Sequence, residues 1–146
     1  MQNIPQLIQM LTGHDQVAAC EALKQLQKIS QESNLLYPFW DSFVAMLGNE
    51  NSYVRTRGLI LLAHNARWDI QDKLQNTLGL YLEHVVDEKP ITARQCIQNL
   101  RYISQARPEL KPAIRACLLQ ADAGKYNDSM RPLVEKDIAA ALTCTE

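Results

Sequence analysis

Apolar and small residues recur at spacings of three and four along the chain, and the pattern itself repeats after 36 and then 38 residues. One register links three segments: Ala18, Ala22 and Leu26; Val54, Gly58 and Leu62; Thr92, Cys96 and Leu100. The same offsets link three more: Ile4, Leu7 and Leu11; Trp40, Phe43 and Leu47; Leu78, Tyr81 and Val85. Because spacings of three and four place residues on one face of a helix, the pattern predicts two helices per period. A looser fourth unit follows residue 108.

Turn and capping residues divide this pattern into four helix pairs. Asn51 or Ser52, and later Asp128 or Ser129, are candidate N-caps, since short polar side chains accept hydrogen bonds from the first free amides of a helix. Gly13 and Gly48 follow predicted helices and are expected to end them in the left-handed conformation. The predicted helices are 3–12 and 14–31, 38–47 and 52–67, 70–87 and 90–106, and 109–121 and 129–143.

The junction inside the second unit carries a family resemblance. An apolar helix ends near Leu47, a short polar loop follows, and the pair Val54 and Arg55 opens the next helix. This unit resembles a HEAT-like repeat. The resemblance covers the second unit well, the first and third in part, and the fourth weakly. The third unit departs from it, because Thr92 and Ala93 replace the Val–Arg pair.

The resemblance implies an all-α fold, a right-handed α-α superhelix (solenoid) of about four HEAT/armadillo-type helix pairs, with the second helices on the concave side. No linker divides the chain, so residues 1–146 are expected to form one repeat domain with units at about 3–31, 38–67, 70–106 and 109–143. Stacked pairs bury a continuous core that no single pair can hide. The helix around Gly58 is apolar nearly all round and should be the most buried, with Gly58 admitting a neighbouring helix.

Composition agrees with a helical domain. Aromatic residues make up 6% of the chain, with five Gly and six Pro, too few for the many strands and turns of an all-β sandwich. The longest apolar run, 59–63, is far shorter than a membrane span, so we expect no membrane association. Four cysteines without paired spacing are typical of reduced thiols and predict a cytoplasmic protein; they are Cys20, Cys96, Cys117 and Cys144.

No motif in the sequence predicts catalysis. A Gly-rich phosphate loop, HExxH, GxSxG and Cys-x-x-Cys are all absent from it. His14, His64 and His84 have no metal-ligand spacing, and packing or surface roles explain them more simply. We therefore predict a protein that is not an enzyme, has no catalytic residues, and requires no metal and no cofactor.

A net charge of −1 conceals an uneven distribution. Residues 51–68 hold three arginines and no acid, and residues 89–115 hold six basic residues against Glu109 alone. Residues 69–88 carry five acids against one lysine. Combined with the inner position that the resemblance gives to second helices, these counts predict a basic inner groove on an otherwise acidic body.

One stripe of polar residues follows the second helix of the third unit: Arg94, Gln98, Arg101 and Gln105 recur at four, three and four. The repeat offsets align it with two others: Thr56, Ile60, Ala63 and Arg67; Cys20, Lys24, Gln27 and Gln31. Polar side chains of the first and third units would then flank an apolar patch of the second unit. Such a surface suits an acidic or phosphorylated peptide, an amphipathic helix or a nucleic-acid backbone. The alternative is that the stripe is an ordinary solvated helix face.

The leading hypothesis is a non-enzymatic module whose basic concave groove holds an acidic or phosphorylated partner, in the first place another protein or peptide. Its arginines would pair with carboxylate or phosphate, and its tryptophan would supply apolar contact or pack at a helix junction. The residues predicted to bind the partner are Arg55, Arg57, Arg67, Trp68, Arg94, Gln98 and Arg101.

Two other functions stay open. HEAT-like DNA glycosylases are similar in using stacked helix pairs with Trp, Asp and basic residues around a DNA track, and this makes a nucleic-acid-binding relative an alternative. Asp69 beside Trp68 is the candidate acid for that function. The other alternative is a structural subunit that associates through the solenoid ends. The segment Ile4–Leu11, which has no charged residue, is the candidate face for a homodimer.

Overall fold

The computed structural model describes residues 3–146, which form eight α-helices and no strand. The all-α class predicted from the sequence is confirmed, and each predicted helix has a counterpart. Short 3-10 turns precede α3 and α7, follow α4 and α5, and separate α7 from α8. The helices are α1 (Ile4–Met10), α2 (Gln16–Glu32), α3 (Trp40–Met46), α4 (Ser52–Asn65), α5 (Leu74–Leu82), α6 (Pro90–Ala106), α7 (Lys111–Gln120) and α8 (Arg131–Thr143).

Helix α5 differs most from its predicted bounds of 70–87, because it begins at Leu74 and ends at Leu82, where a 3-10 turn follows. The carboxylate of Asp69 accepts hydrogen bonds from the amides of Lys73 and Leu74, each at 2.8 Å, so the helix begins only after this cap. Between them, Asp72 adopts a left-handed backbone with φ 56°, a conformation that Asp tolerates better than most residues.

Two predictions about helix ends were wrong. Asn127, not Asp128 or Ser129, accepts the hydrogen bond from the Met130 amide before α8. No glycine among residues 3–146 has a positive φ, so Gly13 and Gly48 do not end helices in the left-handed conformation. Tight backbone bonds to the carbonyl three residues earlier close these turns instead. Of the two candidate caps of α4, Asn51 and Ser52, the structure confirms Asn51, because its side chain accepts from the Tyr53 amide at 2.9 Å.

The second helices of the four pairs, α2, α4, α6 and α8, pack side by side in that order and form one layer. Hydrogen bonds connect the same ends of neighbouring helices. Asn65 at the end of α4 donates to Ser30 near the end of α2 at 3.0 Å. Near the helix starts, the hydroxyls of Thr56 in α4 and Thr92 in α6 lie 2.9 Å apart. Neighbouring helices of this layer therefore run parallel. Helices α1, α3 and α7 cover α2, α4 and α8 from the other side.

Helix α4 is the most buried of the eight, as predicted, and is buried without a break from Arg57 to Asn65. Gly58 lies against α3, where an added Cβ would be 2.9 Å from the Met46 Cβ and 2.9 Å from the Phe43 carbonyl oxygen. The close approach predicted for this glycine is confirmed. Trp40 of α3 is buried in the core and donates its indole N–H to Thr77 at 3.0 Å.

Replacing Gly58 with alanine is expected to lower the free energy of unfolding by about 1–3 kcal/mol, because overpacking this contact outweighs the better helix propensity of alanine. The matched control is Gly79→Ala in α5, where nothing lies within 4 Å of the added Cβ. That change is expected to stabilise the protein by roughly 0.5–1 kcal/mol. Urea unfolding of the two variants checks both signs, and stabilisation by Gly58→Ala would contradict the packing described.

Candidate functional site

Arg55 faces the protein interior. Its side chain is 10% exposed and that of its partner Asp87 is 4% exposed. Its Nε and Nη2 donate to the two Asp87 oxygens at 3.0 and 2.9 Å, and its Nη1 donates to the carbonyls of Asn49 and Glu50, each at 3.0 Å. Arg55 therefore ties the loop before α4 to the loop before α6, and its donors are occupied within the protein.

Several groups hold the Asp87 carboxylate in its charged form. Burial by itself would raise the pKa of Asp87, but hydrogen bonds from His84, Arg55 and the Lys89 amide outweigh it and hold this pKa well below its usual value. The His84 Nδ1 lies 2.7 Å from one carboxylate oxygen, and the Lys89 amide donates to the other at 2.8 Å. Asp87 is thus the centre of a buried polar network.

Arg57 is also buried. It donates to the Leu11 carbonyl at 2.8 Å and to the side-chain oxygen of Gln16 at 2.5 Å, so it ties α4 to the first helix pair. Burial lowers its pKa. Of the seven residues predicted to bind a partner, Arg55 and Arg57 are the two whose side chains the structure places inside the protein rather than on a shared surface.

Arg67 and Trp68 lie together at the end of α4. Arg67 is exposed, and its guanidinium carbon lies 5.1 Å from the centroid of the Trp68 ring. Trp68 is half-buried and donates its indole N–H to the Ser30 carbonyl of α2 at 2.6 Å. Trp68 therefore links the end of α4 to α2, and Arg67 packs against the face of its ring.

Arg94 and Gln98 of α6 both contact Asp137 of α8. The Arg94 Nε donates to one carboxylate oxygen at 2.7 Å, and the Gln98 amide donates to the other at 3.3 Å. Arg94 thus already has an internal counterion, whereas Gln98 stays exposed.

Arg101 stands further along α6 on the same stripe and is exposed. Its guanidinium carbon lies 4.8 Å from the Tyr102 ring centroid, and its Nη2 donates to the Tyr102 hydroxyl at 2.9 Å. Tyr102 in turn packs on the ring of His64 with centroids 4.4 Å apart. Burial lowers the pKa of His64; a hydrogen bond with Asn99 opposes this, and the charges of the nearby arginines add to it.

The exposed face of the second-helix layer contains a cleft of about 560 Å³. All four helices of the layer line it, with Gln27 and Gln31 from α2, His64 from α4, Gln98, Arg101 and Tyr102 from α6, and Asp137 and Ala140 from α8, together with Cys144 just after α8. A second cleft of about 300 Å³ adjoins it and adds Arg67 and Gln105. We call the two together the second-helix cleft.

Arg67 and Arg101 have no counterion, whereas Arg94 on the same layer is paired with Asp137. Every ion pair within residues 3–146 is formed by a cation other than Arg67 or Arg101. The cleft therefore presents two free guanidinium groups, each laid on an aromatic ring, among uncharged amide side chains. Its one carboxylate, Asp137, is already paired with Arg94.

Asp137 and Tyr102 were missed in the sequence, whereas the packing role expected for His64 agrees with its burial and its contact with the Tyr102 ring. Asp137 had a detectable signal, because it stands at helical spacing from Ala140 and Cys144 on α8, but the looser register of the fourth unit hid the alignment. The stacking of His64 on Tyr102 joins two helices and has no local signal in the sequence.

The Asp69 carboxylate, the candidate acid of the DNA-glycosylase alternative, is a structural group. Its side chain is 0% exposed. Besides capping α5, it accepts from the Tyr37 hydroxyl at 2.5 Å and from Arg107 at 3.1 Å. These donors leave it no face open to a substrate.

Helix α1, the candidate dimer face, turns its apolar residues inward. Leu7 and Leu11 are buried, and Ile4 and Ile8 pack partly buried against the core. The side chains it exposes are glutamine and proline. The described surface of α1 therefore offers no apolar patch.

None of the described helices combines the length and apolar character that crossing a membrane requires. Within residues 3–146, no group of three or more His, Cys, Asp or Glu side chains could hold a metal ion. Comparison with protein-family models, with curated proteins and with solved structures finds no match for this chain. The second-helix cleft and its side chains are therefore the basis for proposing a function.

Proposed function

We propose that the protein is a non-enzymatic binding module whose second-helix cleft holds a carboxylate- or phosphate-bearing segment of another protein. The observation that carries this proposal is the pair Arg67 and Arg101, both exposed and without an internal counterion. A guanidinium group binds carboxylate or phosphate through two parallel hydrogen bonds. Because Trp68 and Tyr102 already support the two arginines, less side-chain freedom is lost when a partner binds.

The other cleft side chains favour a peptide as the bound segment. Gln27, Gln31, Gln98 and Gln105 carry amides that both donate and accept hydrogen bonds, which matches the alternating N–H and C=O groups of a peptide backbone. Duplex nucleic acid is a poorer fit, because its binders usually neutralise several phosphates at once and the cleft has two free cations.

We further propose that the four helix pairs form a short right-handed solenoid of the HEAT-like type, with the cleft on its concave side. The offsets of 36 and 38 residues in the sequence and the parallel packing of α2, α4, α6 and α8 support this. The four free cysteines, two of them exposed, support a reducing compartment such as the cytoplasm.

The double variant Arg67→Glu, Arg101→Glu is expected to weaken partner binding by a factor of about 30 or more, since losing charge contacts at an interface typically costs 2–5 kcal/mol. Arg94 is left unchanged, because a glutamate there would face Asp137. The measurement is affinity capture from nuclease-treated extract, followed by quantitative mass spectrometry.

The matched control is Lys111→Glu, Lys136→Glu, which makes the same change in charge at side chains that do not line the cleft. A protein recovered by the wild type and the control, but not by the cleft variant, is the expected result, with equal melting temperatures for all three. Equal recovery by all three would contradict the proposal.

A further inference from the structure

A second surface lies at the opposite end of the second-helix layer. One large apolar side chain stands exposed in the first turn of each helix there: Val17 (81%), Tyr53 (63%), Ile91 (65%) and Leu133 (38%). The first three are related by the same offsets of 36 and 38 residues that relate the core positions. Scattered exposed apolar residues are ordinary on a protein surface, but a set at equivalent positions of successive repeats is a patch.

The helical spacing places these four side chains on the face that carries the cleft. Ile91 stands seven residues before Gln98 in α6, and Leu133 stands four before Asp137 in α8. Residues four or seven apart share a helix face. Because the four helices run parallel side by side, the side chains form one line across the layer, which we call the apolar row.

Acidic residues border the apolar row. One exposed carboxylate precedes each of the four helices by one to three residues: Asp15, Glu50, Glu88 and Asp128. We call these four the acidic rim. Lys89 and Arg131 are basic residues beside it, and Arg131 pairs with Asp128 at 3.4 Å. The buried Arg55 and Arg57 also reach this end, where they bond the Glu50 carbonyl and the Gln16 side chain. Among the side chains on the surface here, the four carboxylates outnumber Lys89 and Arg131, so this surface is acidic, opposite in sign to the end that carries Arg67 and Arg101.

We propose that the apolar row and the acidic rim bind a basic amphipathic helix of a partner protein. Packed helices lie about 8–10 Å apart, and seven residues of an α-helix rise about 10.5 Å. A helix of about 20 residues with an apolar residue in every heptad thus meets one member of the row at each step. Lysine and arginine beside its apolar stripe would face the acidic rim.

The charge of the rim favours this occupant over two others. A second copy of the chain that docked through the same surface would bring two acidic rims together, which is repulsive. An anionic membrane would be repelled for the same reason. This surface goes beyond the proposed function, and its binding does not depend on the second-helix cleft.

The probe is a fluorescent 21-residue peptide with leucine at the a and d heptad positions and lysine on its polar face. The test variant is Val17→Gln, Tyr53→Gln, Ile91→Gln, and the matched control is Leu35→Gln, Ile70→Gln, Leu80→Gln, at exposed apolar residues outside the row. Anisotropy titrations should give saturable binding to the wild type and the control. Binding to the row variant should be at least about tenfold weaker, as expected for the loss of buried anchors.

Two further peptides separate charge from apolar contact. A peptide with serine in place of leucine, and one with glutamate in place of lysine, should both bind more weakly than the probe. Binding of the probe that survives in the row variant, or that does not need the leucines, would overturn the proposal. So would a wild-type dimer in sedimentation velocity that the row variant loses, because the occupant would then be a second copy. The variant Arg67→Glu, Arg101→Glu should bind the probe as the wild type does. The probe therefore tests the apolar row independently of the second-helix cleft.

Discussion

Asp87→Asn is expected to lower the free energy of unfolding by about 3–5 kcal/mol, the typical cost of removing one member of a buried ion pair. Asparagine would leave the Arg55 guanidinium buried without a counterion and would weaken the bonds to His84 and to the Lys89 amide. Urea unfolding at pH 7 measures the loss. The control Asp41→Asn removes an exposed partner of Lys73 and should cost less than about 0.5 kcal/mol.

The stability that Asp87 contributes is expected to decrease in acid. The pKa of Asp87 is lower in the folded protein than in the unfolded chain. The stability that the carboxylate contributes is therefore fully present above about pH 4, the ordinary pKa of Asp, and is lost as the pH falls further. The wild type should lose its advantage over Asp87→Asn in acid. A gap between the two that is as large at pH 3 as at pH 7 would contradict the network described.

Asp69→Ala is expected to destabilise the protein by about 3 kcal/mol, because the cap of α5 and the partner of a buried hydroxyl are lost together. The amides of Lys73 and Leu74 and the hydroxyl of Tyr37 would each lose their acceptor. Thermal and urea unfolding measure the change, and helix content should fall little.

The control for this change is Asp72→Asn, which removes another partner of Arg107. The Asp72 side chain is about half exposed and its contact with Arg107 is 2.6 Å long. Exposed ion pairs contribute little, and asparagine keeps the left-handed backbone, so the expected cost is below about 1 kcal/mol. Equal costs for Asp69→Ala and Asp72→Asn would show that Asp69 is not the structural cap described.

Local patterns predicted the helices well because most of their signals lie within a few residues. The start of α5 was missed because its cap, Asp69, is fixed by Tyr37 and Arg107, which stand more than 30 residues away on either side. No local pattern contains such contacts. Helices α7 and α8 lie within two residues of their predicted bounds, although the register of this segment was too loose to show that Asp137 would face α6.

The residues of the cleft were predicted best from their helical spacing and worst from the number of charged residues in a segment. Arg67, Gln98 and Arg101 came from stripes at helical spacing, and all three line the second-helix cleft. Arg55 and Arg57 came from counting arginines in residues 51–68. They stand one residue to either side of Thr56, off the stripe that includes Ile60 and Ala63, and their side chains point inward.

The tryptophan pair offers the most direct test of binding in the second-helix cleft. Trp68 lies under Arg67 beside the cleft, whereas Trp40 is buried in the core, so their two indole N–H signals report on binding and on folding separately. We would record ¹H–¹⁵N spectra while adding a glutamate-rich 12-residue peptide, and repeat this with a phosphoserine version. We expect a saturable shift of the Trp68 signal, no shift of the Trp40 signal, and no shift of either signal in Arg67→Glu, Arg101→Glu. A Trp68 signal that does not shift, or a shift that persists in that variant, would contradict binding in the second-helix cleft.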